Sequence, residues 1–301
     1  MNKSIVVSII LAGLVSCEVA GVKDASKDDD IVEVVDQETL TEFFTDVSVE
    51  KNATEFDEVM GEKLDEPEVI AYDNGISITW KRRGQGSAVV FGNMVNIDYR
   101  VSLEDGGIYD GNHLIDKKFI PFLVGWGLQT EGWDFAFQKL KEGDDVEIFL
   151  PAALARGEKG IPGIVPPNAN NIISVRVLGI REPTVEVDGI RIWRVEQAKH
   201  SRDSIQYNDV VNFHYMVSTP SNPRYDNSYQ RGETFEYVMG EDNIIPGLYK
   251  ALYYARKGDK LMIHIPSDQA YGAQGLKGLV APNEDIFYDI LITEVKKSTK
   301  S

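Results

Sequence analysis

Two stretches of this chain carry the same order of apolar and polar positions, offset by about 115 residues, which marks an internal repeat of domain size. Each opens on a turn dipeptide followed by an apolar-rich run: Asn74-Gly75 before Ile76 to Trp80, and Asp188-Gly189 before Ile190 to Trp193. That order predicts a hairpin or the start of a strand. A period-two run follows in each copy, Val95 to Tyr99 and Val211 to Tyr215. The period then changes. Trp133, Ala136, Phe137 and Leu140 fall at i, i+3, i+4 and i+7, as do Leu248, Ala251, Leu252 and Ala255, which predicts one short helix per copy with a single apolar stripe. Lys141-Glu142-Gly143-Asp144 and Arg256-Lys257-Gly258-Asp259 are helix stops, with basic residues in the last turn and a glycine beyond it. Runs from Val146 to Pro151 and Leu261 to Pro266 follow, then final strands at Ile172 to Ile180 and Ile286 to Val295. The predicted class is α+β: two domains, each an antiparallel sheet wrapped around one short helix whose stripe it buries.

The domains are placed at residues 72–182 and 183–301, with a short connection from Arg181 to Val187 that contains Pro183. Before them, residues 17–71 are rich in Asp and Glu and are expected to be an acidic, partly disordered spacer. An address signal or a docking arm is the alternative for this stretch, and Gln37 to Met60 could form a helix within it. Residues 1–16 have the order of a secretion signal, with Lys3 ahead of the apolar run Ile5 to Val15, which is too short to span a bilayer. Leu14-Val15-Ser16-Cys17 then resembles the lipobox of bacterial lipoproteins, in which the cysteine is acylated and becomes the first residue. Several acyl chains at about 0.8 kcal/mol per buried CH₂ make a stable anchor, where one is marginal. The resemblance implies a bacterial cell envelope protein, held by a lipid on Cys17 to a membrane, with the outer membrane preferred and the side it faces left open. An ordinary signal peptide is the alternative.

A formal charge of −17 argues against a nucleic-acid partner, which needs a basic face. Cys17 is the one cysteine, so no internal disulfide forms. His113, His200, His214 and His264 lack metal-ligand spacing, and no metal site is expected. His214 and His264 fall in strand-like runs and are expected at strand surface or core positions.

Further motifs point to a family. The first copy has Leu103-Glu104-Asp105-Gly106, Tyr109-Asp110, Gly132-Trp133 and Gly160-Ile161-Pro162-Gly163-Ile164-Val165-Pro166-Pro167-Asn168; the second has Tyr225-Asp226-Asn227-Ser228, Ile244-Ile245-Pro246-Gly247 and Ala270-Tyr271-Gly272. Together they resemble the FKBP family over roughly residues 72–182 and 183–297. The resemblance implies two FKBP-like domains of five or six strands around one helix, an aromatic pocket between them, and cis–trans isomerisation of X-Pro bonds without a cofactor. In the second copy it assigns the chemistry to Tyr225, Asp226, Ile245 and Tyr271, and peptide binding to Tyr215, Phe235, Ile244, Leu248, Leu276 and Tyr288. In the first copy it assigns binding to Tyr99, Tyr109, Asp110, Trp133 and Ile161. Aromatics at alternating strand positions are core residues more often than binding residues, and only the family pattern raises these above that reading.

The copies depart from the pattern in different places. The first has Gln129 and Thr130 where two aliphatic residues are usual, Arg156 for the tyrosine that contacts the peptide, and Ile173 for an aromatic. The second has Leu248 where a tryptophan floor is usual. Polar groups at the rim of a dry pocket weaken prolyl binding, so the second copy is the better candidate. The expected function is a prolyl isomerase that assists folding of exported proteins by taking up their proline-containing segments. The alternative is a non-catalytic peptide- or protein-binding module, a chaperone or assembly subunit.

Overall fold

The computed structural model describes residues 60–197, 204–241 and 243–298. The signal segment, Cys17, the possible helix before Met60 and His200 lie outside the described residues.

The first sheet holds β1 (Glu62–Ala71), β2 (Ser77–Arg83), β3 (Met94–Leu103), β4 (Ile108–Gly111), β5 (Ile120–Leu123), β6 (Asp145–Leu150) and β7 (Asn171–Ile180). The second holds β8 (Val185–Val187), β9 (Ile190–Glu196), β10 (Val210–Ser218), β11 (Asp226–Asn227), β12 (Phe235–Val238), β13 (Lys260–Ile265) and β14 (Ile286–Lys296). The strand orders are β1-β2-β6-β7-β3-β4 and β8-β9-β13-β14-β10-β11. These are one topology used twice. In both, the long strand β3 or β10 divides its free edge between two short partners, β4 and β5 or β11 and β12. All pairings are antiparallel. The first sheet begins earlier than expected. β1 lies within the stretch read as spacer, because its alternation is masked by charge: only Leu64 and Ile70 pack on the core from its ten residues.

Each sheet curls over one two-turn helix, α1 (Glu131–Phe137) in the first domain and α3 (Pro246–Leu252) in the second; α2 (Ser228–Arg231) is a single turn between β11 and β12. The stripes are buried as the spacing requires: Trp133, Ala136, Phe137 and Leu140 are at most 3% exposed, and so are Leu248, Ala251, Leu252 and Ala255. Both helices stop sooner than the Gly-Asp signals suggest. Leu140 and Ala255 sit in tight turns with i→i+3 bonds, Leu140 N–H to Phe137 O and Ala255 N–H to Leu252 O, which keep the stripe facing inward after the helix has ended. At the other end, Gly132 and Gly247 let the helix press onto the sheet. A Cβ on Gly132 would lie 2.6 Å from the Leu154 carbonyl oxygen, and one on Gly247 would lie 2.3 Å from Ile265 Cγ2.

The aspartate of each Gly-Asp is a buried clamp. Asp144 accepts from the Trp80 indole N–H at 3.2 Å, Gly84 N–H at 2.7 Å and Lys141 N–H at 2.8 Å. Asp259 accepts from Arg194 Nε at 3.0 Å and Arg256 N–H at 3.1 Å. Each therefore ties the turn after the helix to the second strand of its sheet, at or just past the end of β2 or within β9.

The domains share a third apolar cluster of Met94, Leu123 and Trp126 from the first and Trp193 and Phe287 from the second. Trp193 donates its indole N–H to the Arg181 carbonyl at 2.8 Å, which fastens the connection to the second sheet.

Replacing Asp144 by alanine leaves two buried donors, the Trp80 indole and Gly84 N–H, without their acceptor, at about 1–3 kcal/mol for each such group, and a half-buried one at Lys141. The Asp144→Ala chain is expected to lose at least about 2 kcal/mol of unfolding free energy in a urea titration, with the loss confined to the first domain if the two unfold separately.

Candidate functional site

The second sheet and the N-terminus of α3 gather the residues expected to form a pocket into one apolar cluster, the candidate site. Its floor is Leu248, 3% exposed, beside Ile245 at 9%. Its walls come from three places. Tyr215 on β10 and Tyr288 on β14 face each other with ring centroids 6.0 Å apart, and Phe235 on β12 stands edge-on to Tyr215 at 6.2 Å. Tyr225 precedes β11. Tyr271, Leu276 and Ile244 pack on the same cluster from the loops. Leu276 is held by a bridge to Val280 that narrows the 272–283 loop into a hairpin.

One charged group enters this apolar setting. Asp226 accepts from the Tyr215 hydroxyl at 2.5 Å, from its neighbour Asn227 N–H at 2.8 Å, and from the Arg231 guanidinium. Arg231 also donates to the Tyr215 hydroxyl at 2.9 Å, which closes a triangle. Burial works against ionisation of Asp226, but the hydrogen bonds from Tyr215 and Arg231 outweigh it and hold the carboxyl below its ordinary range. Burial raises the hydroxyls of Tyr225 and Tyr271, reinforced by the Asp226 charge, so both stay protonated as donors. Arg231 was not singled out from the sequence. The signal was there: Asn227 caps α2 by accepting Tyr229 N–H at 2.9 Å, and that one turn returns a residue five positions after Asp226 to its carboxylate.

The structure brings the sequence-predicted residues of the first copy together too, but closes them off. Tyr99, Tyr109 and Asp110 are 1%, 7% and 1% exposed, whereas Tyr215, Tyr225 and Asp226 are only partly buried. Trp133 is the floor, stacked on Phe137 at 5.4 Å and edge-on to Tyr99 at 5.4 Å. Tyr99 donates to Asp110 at 3.1 Å, as Tyr215 does to Asp226. Five residues after Asp110 stands Ile115, exposed, in place of the arginine. The cation enters from the other side instead: Arg156, at the place of Tyr271, donates to Gln129 Oε1 at 3.0 Å. Burial pushes the Tyr109 hydroxyl up to about 12, and the adjacent Arg156 charge opposes that rise. Asn171 donates to the same hydroxyl. Thr130 Oγ1, Arg156 Nε and Asn171 Oδ1 are buried with no hydrogen-bond partner among the described residues. A pocket with such groups disfavours an apolar ring. Ile161 packs on this cluster and bridges to Val165, as Leu276 does to Val280.

His214 and His264 lie on β10 and β13, away from either set of pocket residues; His214 pairs with Ser228 Oγ at 3.1 Å and His264 with Asp285 at 3.0 Å. No group of three metal-ligating side chains occurs among the described residues.

A family model described as FKBP-type peptidyl-prolyl cis-trans isomerase matches the chain twice, over residues 86–178 and 202–293. Among curated proteins the chain is similar to Peptidyl-prolyl cis-trans isomerase FKBP10 of Mus musculus, at 26% identity over 66% of this chain and 34% of that protein. It is similar to Peptidyl-prolyl cis-trans isomerase FKBP9 of Bos taurus at 27% identity, over 69% of this chain and 35% of that protein. The chain thus spans about a third of the length of these relatives. The solved structure of the three FKBP domains of wheat FKBP73 aligns with it at 22% identity and a TM-score of 0.38, covering 77% of this chain and 100% of that one.

The Asp226 carboxyl, followed by its carbon NMR shift, is expected to titrate below the ordinary value of about 3.9, and Arg231→Ala is expected to move it upward. A depressed folded pKa stabilises the protein above the unfolded value and stops doing so as pH falls through the folded one. The second domain should therefore lose stability on acidification below about pH 4, and the Arg231→Ala chain should lose less.

Proposed function

We propose that this chain, which belongs to the FKBP-type peptidyl-prolyl cis-trans isomerase family, isomerises X-Pro bonds in its second domain. The observation that carries this reading is the contrast between the two pockets. The second is apolar, partly open and has its one carboxylate locked by Tyr215 and Arg231; the first is closed, with Arg156 inside it.

The chemistry needs no nucleophile. Rotation about the amide costs about 18–20 kcal/mol because resonance is lost, and a twisted amide has less charge separation than a planar one. A dry pocket lined by Tyr215, Phe235, Ile245, Leu248 and Tyr288 disfavours the planar, more polar ground state relative to the twisted one. The protonated hydroxyl of Tyr271 orients the peptide carbonyl. Asp226 orders the Tyr215 side of the wall and places a negative charge at the pocket mouth.

A second reading applies to the first domain. Arg156 and the buried polar atoms around it favour a role in holding a partner or supporting its neighbour without turnover.

The setting we propose is outside the cytoplasm of a bacterium. Leu14-Val15-Ser16-Cys17 after a short apolar run supports acylation of Cys17 and attachment to a membrane, the outer membrane first. Proline-containing segments of exported proteins are then the substrates. Metabolic labelling with an alkyne fatty acid should mark the wild-type chain and leave Cys17→Ser unmarked; equal labelling would remove the lipid anchor.

In a proline-limited refolding assay, the chain from Glu18 onward should accelerate the slow phase. Asp226→Ala and Tyr271→Phe are each expected to lower kcat/KM about 5–20-fold, with Asp110→Ala within about twofold of the parent. A folded parent chain with no acceleration would transfer both domains to the binding reading.

A further inference from the structure

The connection between β5 and α1 of the first domain ends against the turn that leads into Tyr225 and Asp226 of the second. Its Trp126 is 1% exposed, and its neighbours come from both domains: Phe91 at 6.0 Å on its own side, Phe287 and His264 at 5.7 Å each on the other. Asp134 on α1 fixes this tryptophan from behind by accepting the N–H groups that flank it, Gly125 at 2.7 Å and Gly127 at 2.8 Å. The next residues touch the loop that carries Tyr225 and Asp226. Gly127, at φ +62°, lies so close to Pro223 that a Cβ there would be 2.5 Å from Pro223 Cγ. The Leu128 carbonyl accepts from the Arg224 guanidinium. Gln129 then receives Arg156 at 3.0 Å, which braces the connection from inside the first domain.

Arg224 is a residue under constraint. It holds a left-handed backbone at φ 57°, which a side chain larger than glycine adopts only where the surroundings enforce it. Its N–H donates to Ser218 Oγ at 3.0 Å, and the two residues after it are Tyr225 and Asp226. A second route runs through β14. Successive side chains point to opposite faces of a strand, so Phe287 meets Trp126 on the outer face while Tyr288 lines the pocket on the inner one.

We infer that the first domain is a positioning element for the second: Trp126, Gly127 and Leu128 seat the Pro223–Arg224 turn and thereby set the Tyr225–Asp226 edge of the pocket. This rests on the isomerase reading for its kinetic consequence and on the contacts themselves for its structural one. Arg224 and Trp126 are positioning residues, remote from the bound ring. The closed pocket of the first domain fits this role, since Arg156 serves the brace in place of a ligand.

The test uses the full chain with Arg224→Ala, Arg224→Lys and Trp126→Ala. Each is measured for isomerase kcat and KM and for amide hydrogen exchange over residues 219–227. Arg224→Ala and Trp126→Ala are expected to raise KM about 5–10-fold with kcat changed less than about twofold, and to speed exchange in that segment by a similar factor. Arg224→Lys, which keeps a donor for Leu128, should recover most of both. Trp126→Ala lies in the other domain, so a shift in KM there cannot come from a lost contact with substrate. Unaltered KM and unaltered exchange in the folded variants would overturn the inference. A wild-type chain without isomerase activity would overturn the isomerase reading instead, and the exchange data would still decide the positioning.

Discussion

A seven-residue helix does not hold together in water, where isolated helices need about 12–15 residues to be even marginal. The structure depends on how α1 and α3 escape that limit, which is by burying a whole stripe against a curled sheet. Gly132 and Gly247 bring each helix into contact, and Asp144 and Asp259 anchor the turn that leaves it. The pocket is a by-product of the same packing. Trp133 and Leu248 belong to the helix stripe and to the core, and their outward surface is the floor on which a ligand ring would rest. Floor and core therefore cannot vary independently. What can vary more freely are the loops and the exposed positions of the short strands at the free edge of β3 and β10, although Phe122 and Tyr237 on those strands still belong to the cores.

The divergence of the two copies follows that division. Topology, helix position and the tyrosine–aspartate pair are the same in both. Most differences lie at the edge and in the loops, Ile115 against Arg231, Thr130 against Ile245 and Arg156 against Tyr271, and one lies on an interior strand, Ile173 on β7 against Tyr288 on β14. In the second domain the cation sits outside, on the one-turn helix α2, where it pairs with Asp226 at the rim. In the first it comes from the loop and occupies the inside, beside Gln129 and Tyr109. One fold thus yields a more open apolar site or a filled polar one, according to whether the guanidinium stands outside on the aspartate, as Arg231 does, or inside against Gln129, as Arg156 does.

Alternation in β14 links this chemistry to the association of the domains. Its inner face supplies Ile286, Tyr288, Ile290 and Ile292 to core and pocket, and its outer face supplies Phe287 to the interface. A strand with both faces buried reads as a continuous apolar run, which Ile286-Phe287-Tyr288 does. The second domain therefore has the aromatic wall of its candidate site and its contact with the first domain on one backbone.

Much of the fold was legible in the chain itself, and the reason is locality. Repeats, strand periods, turn dipeptides and the i, i+3, i+4, i+7 stripe are enforced between near neighbours, so Ile172 to Ile180 and Ile286 to Val295 were placed to within a residue of β7 and β14. The aromatic residues expected at each site were named through motifs that resemble a known family, and the structure gathers them into one apolar cluster per domain. Tertiary structure decided what depends on partners far along the chain. It recruited the charged segment Glu62–Ala71 as an edge strand, where a few apolar contacts suffice and no clear period is needed. It gave the aspartates of the Gly-Asp turns their donors some 60 residues away, a buried role that a helix stop does not reveal. It turned Arg231 toward Asp226 and Arg156 toward Gln129, and so put the cation outside one site and inside the other. It set Trp126 against Phe287. Periodicity tells which face of an element is apolar; only the assembled chain determines what that face meets.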